Sequence, residues 1–253
     1  MKKITSILLA LLLLLAFAAC SGSDTPSPSA GVTGETTPTP TPTPDVSVEV
    51  FVSIADENGA LALPQASVSV TDKDADGALT INDALICAHE AFCPAGAEGY
   101  ASGNTDFGVS IFKLWNSNGK TGFGFYLNGQ MAFSLSDAVK AGDYLDAYVF
   151  TDTVSYSDAY SYFDKRTVSA AVGEEVSLKI VKIGFDESFS PVALNAGEGI
   201  TILLNGEQTE YATDSEGCVT LTFSAPGTYT VSASSASAEG LTLVPPVCIV
   251  TVA

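Results

Sequence analysis

The chain has 253 residues and a formal charge of −19, from 29 acidic and 10 basic side chains. A surface of that sign repels phosphate backbones and anionic lipid, which excludes nucleic-acid partners and polybasic membrane attachment. It suits a protein that binds divalent cations or tolerates salt.

Lys2 and Lys3 precede an apolar run from Ile7 to Phe17, and Ala18-Ala19-Cys20 follows. A charged start, an apolar core and small residues before a cleavage point make a secretory signal. With the cysteine at the junction, the segment resembles a bacterial lipoprotein signal. That resemblance implies lipidation of Cys20 and a membrane anchor outside the cytoplasm; simple cleavage and secretion is the alternative. Without Lys2 and Lys3 the count becomes 8 basic against 29 acidic residues, a charge of −21. Residues 21–45 carry the Thr-Pro run Thr37 to Pro44 and no apolar periodicity, so they are expected to form an extended tether, at ~3.1 Å per residue.

The first folded unit is expected over 46–165. Val46 to Val52 alternates like a strand, Asn58-Gly59 marks a turn, and Ala66 to Val70 reads as the partner strand. Then comes Asp72-Lys73-Asp74-Ala75-Asp76-Gly77-Ala78-Leu79-Thr80-Ile81-Asn82-Asp83, with carboxylates at positions 1, 3, 5 and 12 and Gly at position 6. Calcium takes 6–8 oxygens, and this spacing delivers them from a curled backbone. The expected ligands are the side chains of Asp72, Asp74, Asp76 and Asp83, the carbonyl of Ala78, and Thr80 directly or through water. Leu79 would tie the loop to the core. The alternative is an acidic turn at a helix start that holds no ion. A strand enters the loop and a helix, Asn82 to Phe92, leaves it, and position 12 is Asp. In these respects the segment resembles the calcium loop of dockerin modules. Docking to a cohesin in a carbohydrate-degrading surface complex is what that resemblance implies.

Phe123 to Gly129 and Tyr144 to Phe150 read as further strands. Hairpin, helix, then more strands is the order of an α+β β-grasp-like domain, one main helix on a mixed sheet. Gly122-Phe123-Gly124-Phe125-Tyr126-Leu127-Asn128-Gly129, followed by Lys140-Ala141-Gly142-Asp143, resembles the transcobalamin-like C-terminal domain family. Leu79 to Leu85 matches the start of the helix in its bacterial branch. The family implies a β-grasp fold and, as one function, capture of a corrinoid or similar ligand.

Residues 166–253 carry short strand patterns at 168–171, 175–183, 199–204, 218–223, 227–233 and 246–252, at sandwich-like spacing. Gly227-Thr228-Tyr229-Thr230-Val231-Ser232-Ala233 resembles a strand of bacterial immunoglobulin-like domains, which implies an all-β sandwich with Tyr229 at its corner.

Outside the cell, Cys218 and Cys248 on two strands are expected to pair as a disulfide, with buried free thiols as the alternative. Cys87 and Cys93 sit on nearly opposite sides of one helix, and their state stays open. His89 and Cys93 are four apart, which gives half a zinc site; a surface helix histidine is the preferred reading. Trp115, Phe125, Tyr126, Asn128, Tyr156, Tyr160 and Tyr162 are the candidate ligand-binding residues. Of the aromatics near them, Trp115, Phe150 and Phe163 are expected in the first core, and Tyr156, Tyr160 and Tyr162 at the surface. The chain lacks the G-x-S-x-G, phosphate-loop and H-E-x-x-H motifs, so a non-enzymatic role in adhesion or in binding a protein, glycan or small molecule is expected.

Overall fold

The computed structural model describes residues 46–118, 122–234 and 242–253. The expected signal segment, the expected tether and Cys20 lie outside the described residues. β1 (Ser47–Ala55) and β2 (Leu61–Thr71) pair antiparallel around the Asn58-Gly59 turn. There Asp56 Oδ1 accepts the N–H groups of Asn58 and Ala60 at 2.9 and 3.0 Å, an Asx-turn. The acidic loop leads to α1 (Ile81–Phe92). β3 (Ala101–Thr105), β4 (Gly108–Leu114) and β5 (Ser117–Asn118) form a small meander. β6 (Phe123–Leu127), β7 (Gln130–Met131) and β8 (Tyr144–Val149) complete the main sheet, in the order β2-β1-β8-β6-β7. β1 and β8 run parallel; the other neighbours are antiparallel.

Period-two alternation sorts this sheet into two faces. Val50, Val52 and Ile54 of β1 and Leu145, Ala147 and Val149 of β8 face α1, whose Ala84, Leu85 and Ala88 are buried against them. Ala55, Tyr126 and Tyr148 lie on the opposite face, in a separate buried cluster with Tyr160 and Val244.

The remaining strands build an all-β lobe. They are β9 (Ser161–Phe163), β10 (Thr167–Ala170), β11 (Glu175–Phe185), β12 (Pro191–Asn195), β13 (Thr201–Leu204), β14 (Glu207–Ala212), β15 (Cys218–Thr222), β16 (Gly227–Ala233) and β17 (Val247–Val252). One sheet runs β10-β17-β16-β13-β14; another runs β12-β11-β15, with β9 also on β11. Val176, Leu178 and Ile180 of β11 pack with Ile202, Val231 and Val250 in one core. The Tyr229 hydroxyl donates to the Ala225 carbonyl at 2.9 Å, and its ring lies 4.7 Å from that of Phe223.

Gln65 Nε2 donates to the Arg166 carbonyl at 3.0 Å. The Arg166 guanidinium forks onto Asp146 at 3.2 and 2.6 Å, and Tyr160 donates to the same carboxylate at 2.5 Å. Arg166 also lies 5.5 Å over the Tyr144 ring and 5.7 Å over Tyr162. The described residues are thus β-rich, with one α-helix.

Several expectations are corrected. The stretch expected as a loop through Asn104 holds β3 and leads directly into β4. β9, β12 and β14 are added to the second lobe. Cys218 and Cys248 are free, as are Cys87 and Cys93. The reason is register. Val219 and Leu221 point inward on β15, which turns Cys218 outward, whereas Cys248 is fully buried in the core on β17. Burial pushes the Cys248 thiol up to about 12. Phe163 packs in the second core with β11, not in the first.

Candidate functional site

The acidic loop starts where β2 ends. Asp72 Oδ1 accepts Ala75 N–H at 2.7 Å, and Oδ2 accepts Gly77 N–H at 2.8 Å. Asp74 Oδ1 accepts Asp76 N–H at 3.3 Å, and Asp76 Oδ1 accepts Ala78 N–H at 2.8 Å. Ala75 (φ 61°) and Gly77 (φ 86°) hold the left-handed conformation that this curl requires, and at position 77 glycine does so without steric cost. As a result one carboxylate oxygen from each of Asp72, Asp74 and Asp76 lies within 4.8 Å of the others. The Gly77 N–H draws the Asp72 carboxyl below the ordinary range, against a desolvation effect. Desolvation and the neighbouring Asp76 charge push Asp74 above it. A hard divalent cation suits such a set, since it offsets the repulsion and accepts all three oxygens.

The loop is fastened to the domain on its far side. Val139 N–H donates to the Leu79 carbonyl at 2.9 Å, and Thr80 bridges to Ala138. Ile81 and Asn82 donate to the Asp137 and Leu135 carbonyls at 3.0 and 2.9 Å. Leu79 is half-buried against the first core, as expected.

Asp83 and Thr80, also expected as ligands, meet at the start of α1. Thr80 caps α1: its hydroxyl accepts Asp83 N–H at 3.3 Å, and Asp83 Oδ2 accepts Thr80 N–H at 2.9 Å and the Thr80 hydroxyl at 2.6 Å. This is a capping box. Asp83 Oδ1 reaches back to Lys73 N–H at 2.8 Å. The fully buried Asp83 stands outside the carboxylate cluster of Asp72, Asp74 and Asp76.

His89 is fully buried, which corrects the surface reading. Nδ1 meets the Leu85 carbonyl at 2.7 Å, and Nε2 accepts Trp115 N–H at 3.0 Å. The Tyr100 and Trp115 rings lie 5.0 and 5.3 Å away. Desolvation lowers the imidazole pKa, opposed by the Leu85 carbonyl. Both ring nitrogens are used by the protein, so neither serves a zinc half-site with Cys93. Among the described residues, Asp72, Asp74 and Asp76 are the one grouping of metal-ligating side chains.

The ligand-binding candidates separate. Asn128 is committed to the frame: Nδ2 donates to Asp143 Oδ1 and Oδ1 accepts Tyr144 N–H, both at 2.9 Å. This amide clips the Asn128-Gly129 turn to the Gly142-Asp143 turn, which explains why both sequence signals occur together. Trp115 is half-buried on the first core. Phe125 is also half-buried there and lines a groove of about 470 Å³ with the exposed Phe107, Phe112 and Phe133. Tyr160, expected at the surface, is 2 % exposed because it bonds Asp146 and Arg166 between the lobes. Tyr162 is half-buried, and Tyr156 is half exposed.

Tyr148, Tyr126, Tyr160 and Tyr162 form a ladder of stacked rings, with successive centroids 6.4, 3.7 and 5.9 Å apart. Phe150 stands edge-on to Tyr148 at 5.0 Å and Tyr156 edge-on to Phe150 at 5.4 Å. Two glycines of β6 and its approach admit these rings. A Cβ on Gly124 would overlap the Tyr148 ring, and one on Gly122 would meet the Tyr156 ring at 2.8 Å. Tyr126, Tyr156 and Tyr160 line a cleft of about 480 Å³ that also takes in Phe185 of the second lobe.

A scan of protein-family models finds no match to this chain, and a search of curated proteins finds none either.

Proposed function

We propose that this chain is a lipid-anchored, extracytoplasmic binding protein, non-enzymatic, in which calcium fixes a β-grasp-like module that precedes an immunoglobulin-like module. The observation that carries the reading is the convergence of the Asp72, Asp74 and Asp76 carboxylates within 4.8 Å. Calcium would bind these carboxylates and the Ala78 carbonyl, with water completing a shell of 6–8 oxygens. Asp83 would act on the frame rather than the ion, since three donors already occupy it. The ion would be structural: the loop joins the end of β2 to the start of α1, so filling it locks the hairpin to the helix.

The β-grasp reading is supported by the order β2-β1-β8-β6-β7, with β1 parallel to β8 and one helix on one face. The immunoglobulin-like reading is supported by two sheets around one core and by the Tyr229 hydroxyl bonded to the backbone four residues upstream. Anchoring rests on the signal-like start and Cys20. Among the described residues, no helix is long and apolar enough to cross a membrane. The binding role rests on exposed aromatic side chains and the lack of a catalytic motif. Titration of the protein with calcium by calorimetry tests the reading: saturable binding that Asp74→Ala or Asp76→Ala abolishes supports it, and no heat above dilution overturns it.

A further inference from the structure

Tyr126 and Tyr148 are 5 % and 4 % exposed, yet neither hydroxyl has a hydrogen-bond partner among the described residues. Neither oxygen is sealed from solvent, so water pairs them in the free protein and a ligand hydroxyl can take its place. Both residues line the cleft between the lobes. Asp158 lines it too, 7 % exposed, its carboxylate held by the Thr151 hydroxyl and by Asp152 N–H. Two acceptances leave a carboxylate further lone pairs. Lys182 adds an ammonium that makes no ion pair among the described residues. At the mouth stand two exposed rings, Tyr156 at 50 % and Phe185 at 55 %, one from each lobe.

We propose that this cleft holds a pyranose unit of an uncharged oligosaccharide. The proposal rests on the reading of the chain as a surface binding protein. A sugar ring offers an apolar face to an aromatic side chain and hydroxyls around its rim. Tyr156 and Phe185 supply the aromatic faces. Tyr126, Tyr148, Asp158 and Lys182 supply the donors and acceptors. A leucine or phenylalanine side chain would fill the volume but leave those polar groups dry and unpaired. One carboxylate balanced by one ammonium favours an uncharged ligand over an anion or an organic cation.

The test is calorimetric titration of the calcium-loaded full chain with cellohexaose, xylohexaose, mannohexaose and chitohexaose. At least one is expected to bind with a millimolar or lower dissociation constant. Tyr156→Ala and Phe185→Ala, both at exposed positions, should each weaken it at least tenfold. Phe107→Ala with Phe133→Ala, in the other aromatic groove, should leave it unchanged. The proposal is overturned if none of the four sugars titrates, or if binding survives both cleft variants. Melting of the same preparation with and without calcium separates the causes. A calcium-raised melting temperature with no sugar binding removes the cleft proposal alone. Loss of both removes the surface-module reading with it.

Discussion

Asp83 accepts the backbone N–H of Lys73 at 2.8 Å while its other oxygen closes the capping box with Thr80. One carboxylate therefore ties the second and last positions of the acidic loop together and starts the helix. Asp83→Ala should destabilise the fold by about 1–2 kcal/mol, the usual cost of a lost cap. The loss should be alike in calcium and in EDTA, because the cap forms without an ion. Urea melts of the variant in both buffers check this.

Asp146 and Arg166 form an ion pair at 2.6 Å, with side chains only 10 % and 14 % exposed. Removing one partner of such a pair typically costs ~3–5 kcal/mol, since the other charge stays buried. Asp146→Ala should lose stability on that scale. Asp146→Leu combined with Arg166→Met should recover much of it, by removing both charges together. Denaturant unfolding of the single and double variants measures the difference.

Buried His89 has its pKa lowered by desolvation, so its neutral form belongs to the folded state. The sign follows directly: the contribution is present above the unfolded value of ~6.5 and is lost as pH falls toward the depressed folded value. Protonation would also break the bond that Nε2 accepts from Trp115 N–H. Stability should therefore begin to fall as pH drops below about 6.5. His89→Gln, uncharged throughout, should remove this part of the slope in a pH series of melts.

Gly124 is not a turn residue but a seat for the Tyr148 ring. Gly124→Ala should displace that ring and disorder the tyrosine ladder, at a cost of about 1–3 kcal/mol for overpacking. Loss of near-ultraviolet tyrosine dichroism alongside a lowered urea midpoint would show it.

The hairpin, the helix and the strands at Phe123 and Tyr144 were legible because their apolar periods are unbroken. β14, read as Glu-Gln-Thr-Glu-Tyr-Ala, has little strand character of its own and exists through pairing with β13. Such edge strands are set by neighbours more than by propensity. Of the candidate metal site, the Asp72, Asp74 and Asp76 spacing was legible, since alternate positions must face one centre. At Asp83 the twelfth loop position coincides with the third helical position, so a carboxylate there fits an ion ligand and a helix cap alike, and spacing alone does not choose between them. His89 and Tyr160 were misplaced for one shared reason. Alternation and helical period tell which side chains share a face, but not that the Trp115 turn and the second lobe come to cover those faces.

The central claim is that the loop at 72–83 holds a structural calcium ion, and paired thermal melts in calcium and in EDTA test it most directly. With calcium a hundredfold above its dissociation constant, binding to the folded state alone contributes about 2.7 kcal/mol. The melting temperature should rise by several degrees in millimolar calcium, and Asp74→Ala or Asp76→Ala should erase that rise while changing the EDTA value little. Identical wild-type melts in the two buffers would contradict the account.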